Sequence, residues 1–332
     1  MHTTLRCAAA RRVGRPVILA GDIGGTNARL WLLSPLGKVV ARWSKKTRDF
    51  ASLEDTLVSL LPVKARITAA CFGVAGPVEN GRCVATNFPW VVDEKKLGRA
   101  LGARVLVVND LVALAWGTTT ATQVTPIARR PVKQGATVAV IAAGTGLGEA
   151  ALIWHSGGYI PLATESGHAD FAPRNALEAE VLAFFQERLG GRVSIERVLS
   201  GDGIGGLYDF FAQGKRAPRE IVTAPDRNAA IVDAALAGSN QAAVHAVELF
   251  TGLYGAEAGN LALRTMAKGG VWVCGSIAIA LERLVRSRTF YDAFVGKGRF
   301  EPMLRSVPLA MCKDPNVGLR GAASCAHALA RG

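Results

Sequence analysis

Two glycine-rich stretches, each set between apolar segments of strand length, constrain this chain more than any other feature. The first reads Gly21-Asp22-Ile23-Gly24-Gly25-Thr26-Asn27, after Val17-Ile18-Leu19-Ala20 and before Ala28–Leu33. The second reads Gly144-Thr145-Gly146-Leu147-Gly148, after Val138–Ala142 and before Ala150–Trp154. A strand, a glycine turn and a second strand form a hairpin whose tip exposes backbone N–H groups. Glycine tolerates positive φ and lets the backbone approach closely, so such a tip can cradle a phosphate. Two such hairpins predict two α/β domains closing on one polyphosphate.

Apolar spacing extends that outline along the chain. Strands are expected at Val17–Asp22, Ala28–Leu33 and Lys38–Trp43, as a meander, then a helix over Ser52–Leu61 with Ser52 as N-cap. A strand Ile67–Val74, a helix Asp93–Leu101, a short buried strand Val105–Val108 and a helix Leu111–Trp116 follow. Near Val138 the strand–glycine–strand pattern restarts and continues into Tyr159–Ala163. Helices are then expected at Ala176–Leu189, for a turn or two from Ser194, and over Asn240–Met266. A buried strand Gly270–Cys274 leads through Gly275-Ser276 into a helix Ile277–Val285. The repeat is of layout rather than of residues. Expected boundaries are a basic tail over 1–16, a small α/β domain over 17–118 and a larger one over 119–313.

Length and composition agree with this division. The 332 residues suit about two domains. Half of them are hydrophobic, enough for a substantial core. No apolar run approaches the ~20 residues needed to cross a bilayer, so no membrane role is expected. The six cysteines are scattered without a C-x-x-C pair, which fits a reduced, cytoplasmic setting rather than a disulfide framework or a zinc site. A net charge of +13 and a pI near 9.9 favour anionic partners. The basic residues are dispersed and not interleaved with aromatic ones, so nucleic acid is not an expected partner. The segment before Val17 carries Arg6, Arg11, Arg12 and Arg15 with no acidic residue and reads as a basic tail.

Several motifs carry possible chemistry. Asp22 beside a phosphate hairpin would be repulsive without an intervening cation, and Mg²⁺ held by few carboxylates and several waters is the expected arrangement. No G-x-x-x-x-G-K-[ST] occurs. A G-x-G-x-x-G string at Gly201, Gly203 and Gly206 follows the helix-like Val193–Leu199 rather than a strand, and so fails the context of a dinucleotide site. Asn109-Asp110 ends a buried strand, where α/β folds place chemistry, yet it could equally cap Leu111–Trp116. Glu165-Ser166-Gly167-His168 offers acidic, small and imidazole groups suited to vicinal hydroxyls. Glu196 reads on its own as part of a helix capping box.

Taken in order, these stretches, with Glu165-x-Gly167-His168-x-Asp170-Phe171-Ala172-Pro173 and Glu196-Arg197-Val198-Leu199-Ser200-Gly201, resemble the bacterial glucokinases. The resemblance runs from about Val17 to the C-terminus. It implies an actin-like ATPase fold, ribonuclease-H-like, with two α/β domains flanking a cleft and the segment 314–330 returning to the small domain. It also implies roles. Asp110 would be the catalytic base for the 6-hydroxyl of D-glucose, with Asn109, Glu165, His168 and Glu196 binding the sugar. Gly21, Asp22, Ile23, Gly24, Gly25, Thr26, Gly144, Thr145, Gly146 and Gly275 would bind ATP, with Asp22 near Mg²⁺ through water. Gly76-Pro77 and Thr86-Asn87 would shape the sugar side. Such enzymes form homodimers.

Two departures stand out: Ser166 occupies a position where the family often has glycine, and the cysteine-rich zinc motif of the related repressor and sugar-kinase branch is absent. Alternatives are a kinase of another hexose, a glucokinase using polyphosphate, and a catalytically silent sugar sensor on the same fold. The last would need a DNA-binding module, for which the segment before Val17 is too short.

Overall fold

The computed structural model describes residues 16–62, 65–84, 90–214 and 217–331. Residues 1–15 of the basic tail and the Thr86-Asn87 pair lie outside the described residues. The chain divides into two compact units, one running to Gly117 and resuming at Gly318, the other spanning Thr118–Val317.

The first unit opens with β1 (Pro16–Ile23), β2 (Asn27–Leu33) and β3 (Val39–Lys46), then α1 (Leu53–Leu60) and β4 (Arg66–Val74). A small antiparallel sheet of β5 (Val78–Glu79), β6 (Arg82–Val84) and β7 (Val91–Asp93) precedes α2 (Glu94–Leu101), β8 (Arg104–Asn109) and α3 (Asp110–Thr118). The main sheet has the order β3-β2-β1-β4-β8, antiparallel in its first three strands and parallel thereafter. Local signals set the helix starts. Ser52 accepts a hydrogen bond from the Asp55 N–H at 3.0 Å, and Asp93 accepts one from the Lys96 N–H at 2.9 Å.

The second unit contains β9 (Val124–Ala128), β10 (Val138–Ala143), β11 (Leu147–His155) and β12 (Gly158–Ala163). Six helices follow: α4 (Ala176–Leu189), α5 (Ile195–Val198), α6 (Gly201–Ala212), α7 (Arg219–Val222), α8 (Arg227–Ala237) and α9 (Gln241–Thr265). Then come β13 (Gly270–Cys274), α10 (Ser276–Ala280), α11 (Glu282–Val285), α12 (Arg288–Val295), α13 (Glu301–Arg305) and β14 (Leu309–Cys312). The sheet order β12-β11-β10-β13-β14-β9 repeats that of the first unit, with β9 added antiparallel at the edge. The expected helix Ile277–Val285 is instead two short helices, because Leu281 (φ −97°, ψ 22°) leaves helical geometry between them.

The last helix, α14 (Val317–Arg331), belongs to the first unit and explains the patterning of its strands. Along β1, Leu19 and Ile23 enter one core with Phe72, Leu53, Leu57 and Leu97, while Ile18 and Ala20 enter another with Leu319, Ala322, Cys325 and Ala326. A strand buried on both faces reads as a continuous apolar run, as Val17–Ala20 does.

Candidate functional site

In the first unit, three strand ends define one edge of the sheet. Ile23 pairs with Val74, and Val74 with Asn109, so the first hairpin tip and Asn109-Asp110 lie along the same C-terminal edge. Gly21, Asp22 and Ile23 are part of β1, paired with β2 on one side and β4 on the other. The turn proper is Gly24–Thr26. Its form is fixed by Gly24 N–H donating to Asn27 O (3.0 Å) and by Thr47, whose Oγ1 donates to Gly24 O (2.8 Å) and whose N–H donates to Thr26 O (3.1 Å). Gly25 and Thr26 are the exposed residues of the tip. Asp22 forms an ion pair with Arg29, its cross-strand partner on β2. Equal spacing of the two residues about the turn was the available signal for that pair.

Asp110 is the first residue of α3 and is half-buried. The Leu111 N–H donates to both Asn109 Oδ1 (2.8 Å) and Asp110 Oδ1 (2.9 Å), while Asn109 Nδ2 donates to Gly76 O at 3.0 Å. Asn109 is thus fixed at both ends of its amide. The capping reading and the catalytic reading of Asp110 are compatible, since one oxygen accepts the cap bond and the helix N-terminus favours the ionised carboxylate. Backbone-close packing holds α3 in place. A Cβ at Gly73 would lie 2.7 Å from Ala113 Cβ, and one at Gly321 of α14 would lie 1.6 Å from Ala113 O.

In the second unit, Gly144–Gly146 turns β10 into β11, closed by Gly144 N–H donating to Gly146 O at 2.8 Å. Tyr254 supports this hairpin from below: its buried hydroxyl accepts from Ala143 N–H (3.1 Å) and donates to Cys274 O (3.0 Å), tying β10 to β13. Gly275 follows β13 with φ +92°, and a Cβ there would stand 2.2 Å from Ala143 O, so only glycine fits. The N-terminus of α6 meets the hairpin through Gly201 N–H donating to Gly144 O at 2.9 Å. A cavity of about 400 Å³ opens beside Gly144 and Thr145. Ile204, Val232 and Ile277 line it together with the polar Asp202, Asp226 and Asn228. None of these six residues belongs to a motif that marks it as a ligand in the sequence.

Glu165, His168 and Glu196 also come together in this unit. Glu165 precedes a 3-10 turn, Ser166–His168, docked on the start of β11. A Cβ at Gly167 would lie 2.0 Å from Leu147 O, and Thr164 Oγ1 donates to Glu149 O at 2.8 Å. The His168 ring lies 3.9 Å from carboxylate oxygens of both Glu165 and Glu196. Glu196 does not complete a capping box. Its Oε2 accepts from the Leu147 N–H at 3.0 Å, 49 residues away, and so joins the hairpin to the turn. Arg192 holds the far side, donating to His168 O and to Asp170. Gly167→Ala should push the turn off β11 and destabilise the fold by about 1–3 kcal/mol, read as a lower melting temperature in calorimetry.

A family model described as Glucokinase matches residues 19–329. The chain belongs to the glucokinase family. Glucokinase of Nostoc sp. is 36% identical over 342 aligned positions, covering 94% of this chain and 99% of that protein. Among solved structures, glucokinase from an Antarctic psychrotroph superposes with TM-score 0.80 at 29% identity, covering 94% of this chain and 99% of the other. Glucokinase of Balamuthia mandrillaris in complex with glucose gives a TM-score of 0.78 at 24% identity, covering 98% and 96%, and supports the fold. This glucokinase-family chain therefore has the two-domain actin-like ATPase fold and is an ATP-dependent hexose kinase, a phosphotransferase. Among the described residues, no helix is long and apolar enough to cross a membrane.

Proposed function

We propose that the chain transfers the γ-phosphoryl group of Mg-ATP to the 6-hydroxyl of D-glucose, with Asp110 as the base. The observation that carries this reading is the position of Asp110, a half-buried carboxylate at a strand end and helix start beside a fixed Asn109. Phosphoryl transfer runs through a loose transition state, so orientation of the nucleophile matters more than base strength. Asp110 orients the 6-hydroxyl and takes its proton, and Asn109 donates to a neighbouring hydroxyl. Glu165, His168 and Glu196 bind the other sugar hydroxyls. The two glycine hairpins hold the ATP phosphates, Gly24–Thr26 in one unit and Gly144–Gly146 in the other. The cavity at Gly144 takes the nucleoside, its apolar residues the base and its acidic ones the ribose hydroxyls.

Among the described residues no group of three His, Cys, Asp or Glu could cage a metal. That fits Mg²⁺, which binds mainly to waters and phosphates with one or two carboxylates, and Asp22 is the carboxylate available beside the hairpin. The ion supplies charge neutralisation at the phosphates when bound. Arg29 pairs with Asp22 across the hairpin. Among the described residues five cysteines are buried thiols, which fits a cytoplasmic setting. A homodimer is the expected assembly, testable by sedimentation.

The test is ADP release with Mg-ATP against glucose, fructose, mannose and N-acetylglucosamine, with a no-sugar control and polyphosphate as alternative donor. A high rate with ATP and glucose, and slow hydrolysis without sugar, is expected. Sugar-independent hydrolysis at the kinase rate would overturn the reading.

A further inference from the structure

Glu149 is the most poorly satisfied buried group among the described residues. Its side chain is fully buried, and neither carboxyl oxygen has a hydrogen-bond partner. It stands on β11 two residues after Leu147, on which the Ser166–His168 turn is docked. Glu257 and Arg264 face it from α9, where Arg264 pairs with Glu257 and stays 3.7 Å from Glu149, beyond hydrogen-bond distance. Asn260 Nδ2 also donates to Glu257 at 2.8 Å. Both cationic and amide donors are thus committed to Glu257. Tyr254 of α9 faces Glu149 too, with its hydroxyl engaged on β10 and β13. From the turn, Thr164 Oγ1 donates to the Glu149 carbonyl at 2.8 Å and accepts the Ser166 N–H at 3.3 Å, which ties Ser166 to the Glu149 backbone.

Two carboxylates sharing one desolvated pocket with one guanidinium cannot both ionise cheaply. We propose that Glu149 is a positioning residue for the sugar-binding turn, a carboxylic acid that shares one proton with Glu257 and steadies the turn through Ser166, and whose ionisation loosens the turn and weakens glucose binding. This rests on the reading of Glu165 and His168 as sugar ligands. Burial, and then the charge of Glu257, push the Glu149 carboxyl up to about 8. Between its ordinary range and that value the folded chain holds a proton that the unfolded chain has lost. Stability therefore falls as pH rises through this window and is lowest above it. Glucose affinity falls over its upper end, where the folded chain itself loses the proton. Lys297, held to Asn260 Oδ1 at 2.6 Å, is pushed down to about 8 by burial and by Arg174 and Arg264, and titrates in the same range.

Glu149→Gln tests this, because glutamine keeps the shape and neutrality of the protonated acid and leaves Lys297 in place. Glucose KM, kcat and melting temperature are measured from pH 6 to pH 9.5. The wild-type KM is expected to rise several-fold above pH 8 with little change in kcat, and the melting temperature to fall. In Glu149→Gln both changes are expected to vanish, with the pH 7 KM retained. A wild-type KM flat to pH 9.5, or a Glu149→Gln profile that follows the wild type, overturns the proposal. His168→Ala separates the two readings. If it leaves the glucose KM unchanged, the turn is not the sugar site, and that result stands apart from any Glu149 profile.

Discussion

Asp110→Asn is expected to lower kcat by about three powers of ten, near the middle of the range for a positioned acid–base group. That is a loss of about 4 kcal/mol of transition-state stabilisation. Asparagine keeps the oxygen that accepts the Leu111 N–H, so the start of α3 stays capped and the melting temperature should hold to within about 2 °C. Glucose affinity, measured by calorimetry, should change little because Asn109 and the Glu165–His168 turn are untouched. Turnover separates the two roles of this residue: a cap alone would give near-normal turnover with stability kept, and that result would remove Asp110 from the chemistry.

Gly321→Ala should be the most destabilising single methyl that the first unit can receive. The added carbon would stand 1.6 Å from the Ala113 carbonyl oxygen, which is main chain and cannot rotate away. Overpacking of this kind destabilises by about 3 kcal/mol or more. For a unit of this size that lowers the melting temperature by roughly 10 °C or more. Since α3 carries Asp110 at its start, displacement of Ala113 should also depress kcat, whereas a remote surface methyl would not. Calorimetry with a parallel rate measurement checks both, and an unchanged melting temperature would show that α14 and α3 are not in this contact.

The architecture was legible where periodicity and local chemistry agree. Both hairpins could be read because glycine clusters interrupt two apolar runs, and the start of α1 because Ser52 caps it within four residues. Elements decided by distant contacts were not. Helix α6 contains Gly201, Gly203, Gly205 and Gly206, a composition unfavourable to helix. These residues are selected by packing instead: a Cβ at Gly203 would meet the Val198 carbonyl at 2.1 Å, and one at Gly206 would meet Phe185 at 2.5 Å. Strand β9 escaped because Pro126 lies inside it, tolerable only at the sheet edge it occupies.

The site divides along the same line. Asn109, Asp110 and the hairpins stand out by motif. The bond from Leu147 to Glu196, the support given by Thr47 and Tyr254, and the unsatisfied Glu149 depend on tertiary neighbours that spacing does not reveal. Glu196 is instructive in that the capping interpretation was locally reasonable. It failed because the buried Leu147 N–H of the hairpin takes the carboxylate, while the start of α5 has its Ile195 N–H satisfied by the Ala169 carbonyl.

The interrupted first unit has a consequence for how the chain is made. All of Thr118–Val317 is contiguous and leaves the ribosome before α14, which supplies Leu319, Ala322 and Cys325 to the core beneath β1 and β4. At about 5–20 residues per second, those 200 residues separate the two parts of the first unit by roughly 10–40 s. During that interval the sheet bearing Asp22 and Asn109 has one apolar face uncovered, while the second unit can already finish folding. Nascent chains are therefore most exposed to aggregation, and most dependent on chaperones, through the stretch up to Gly117 that was synthesised first.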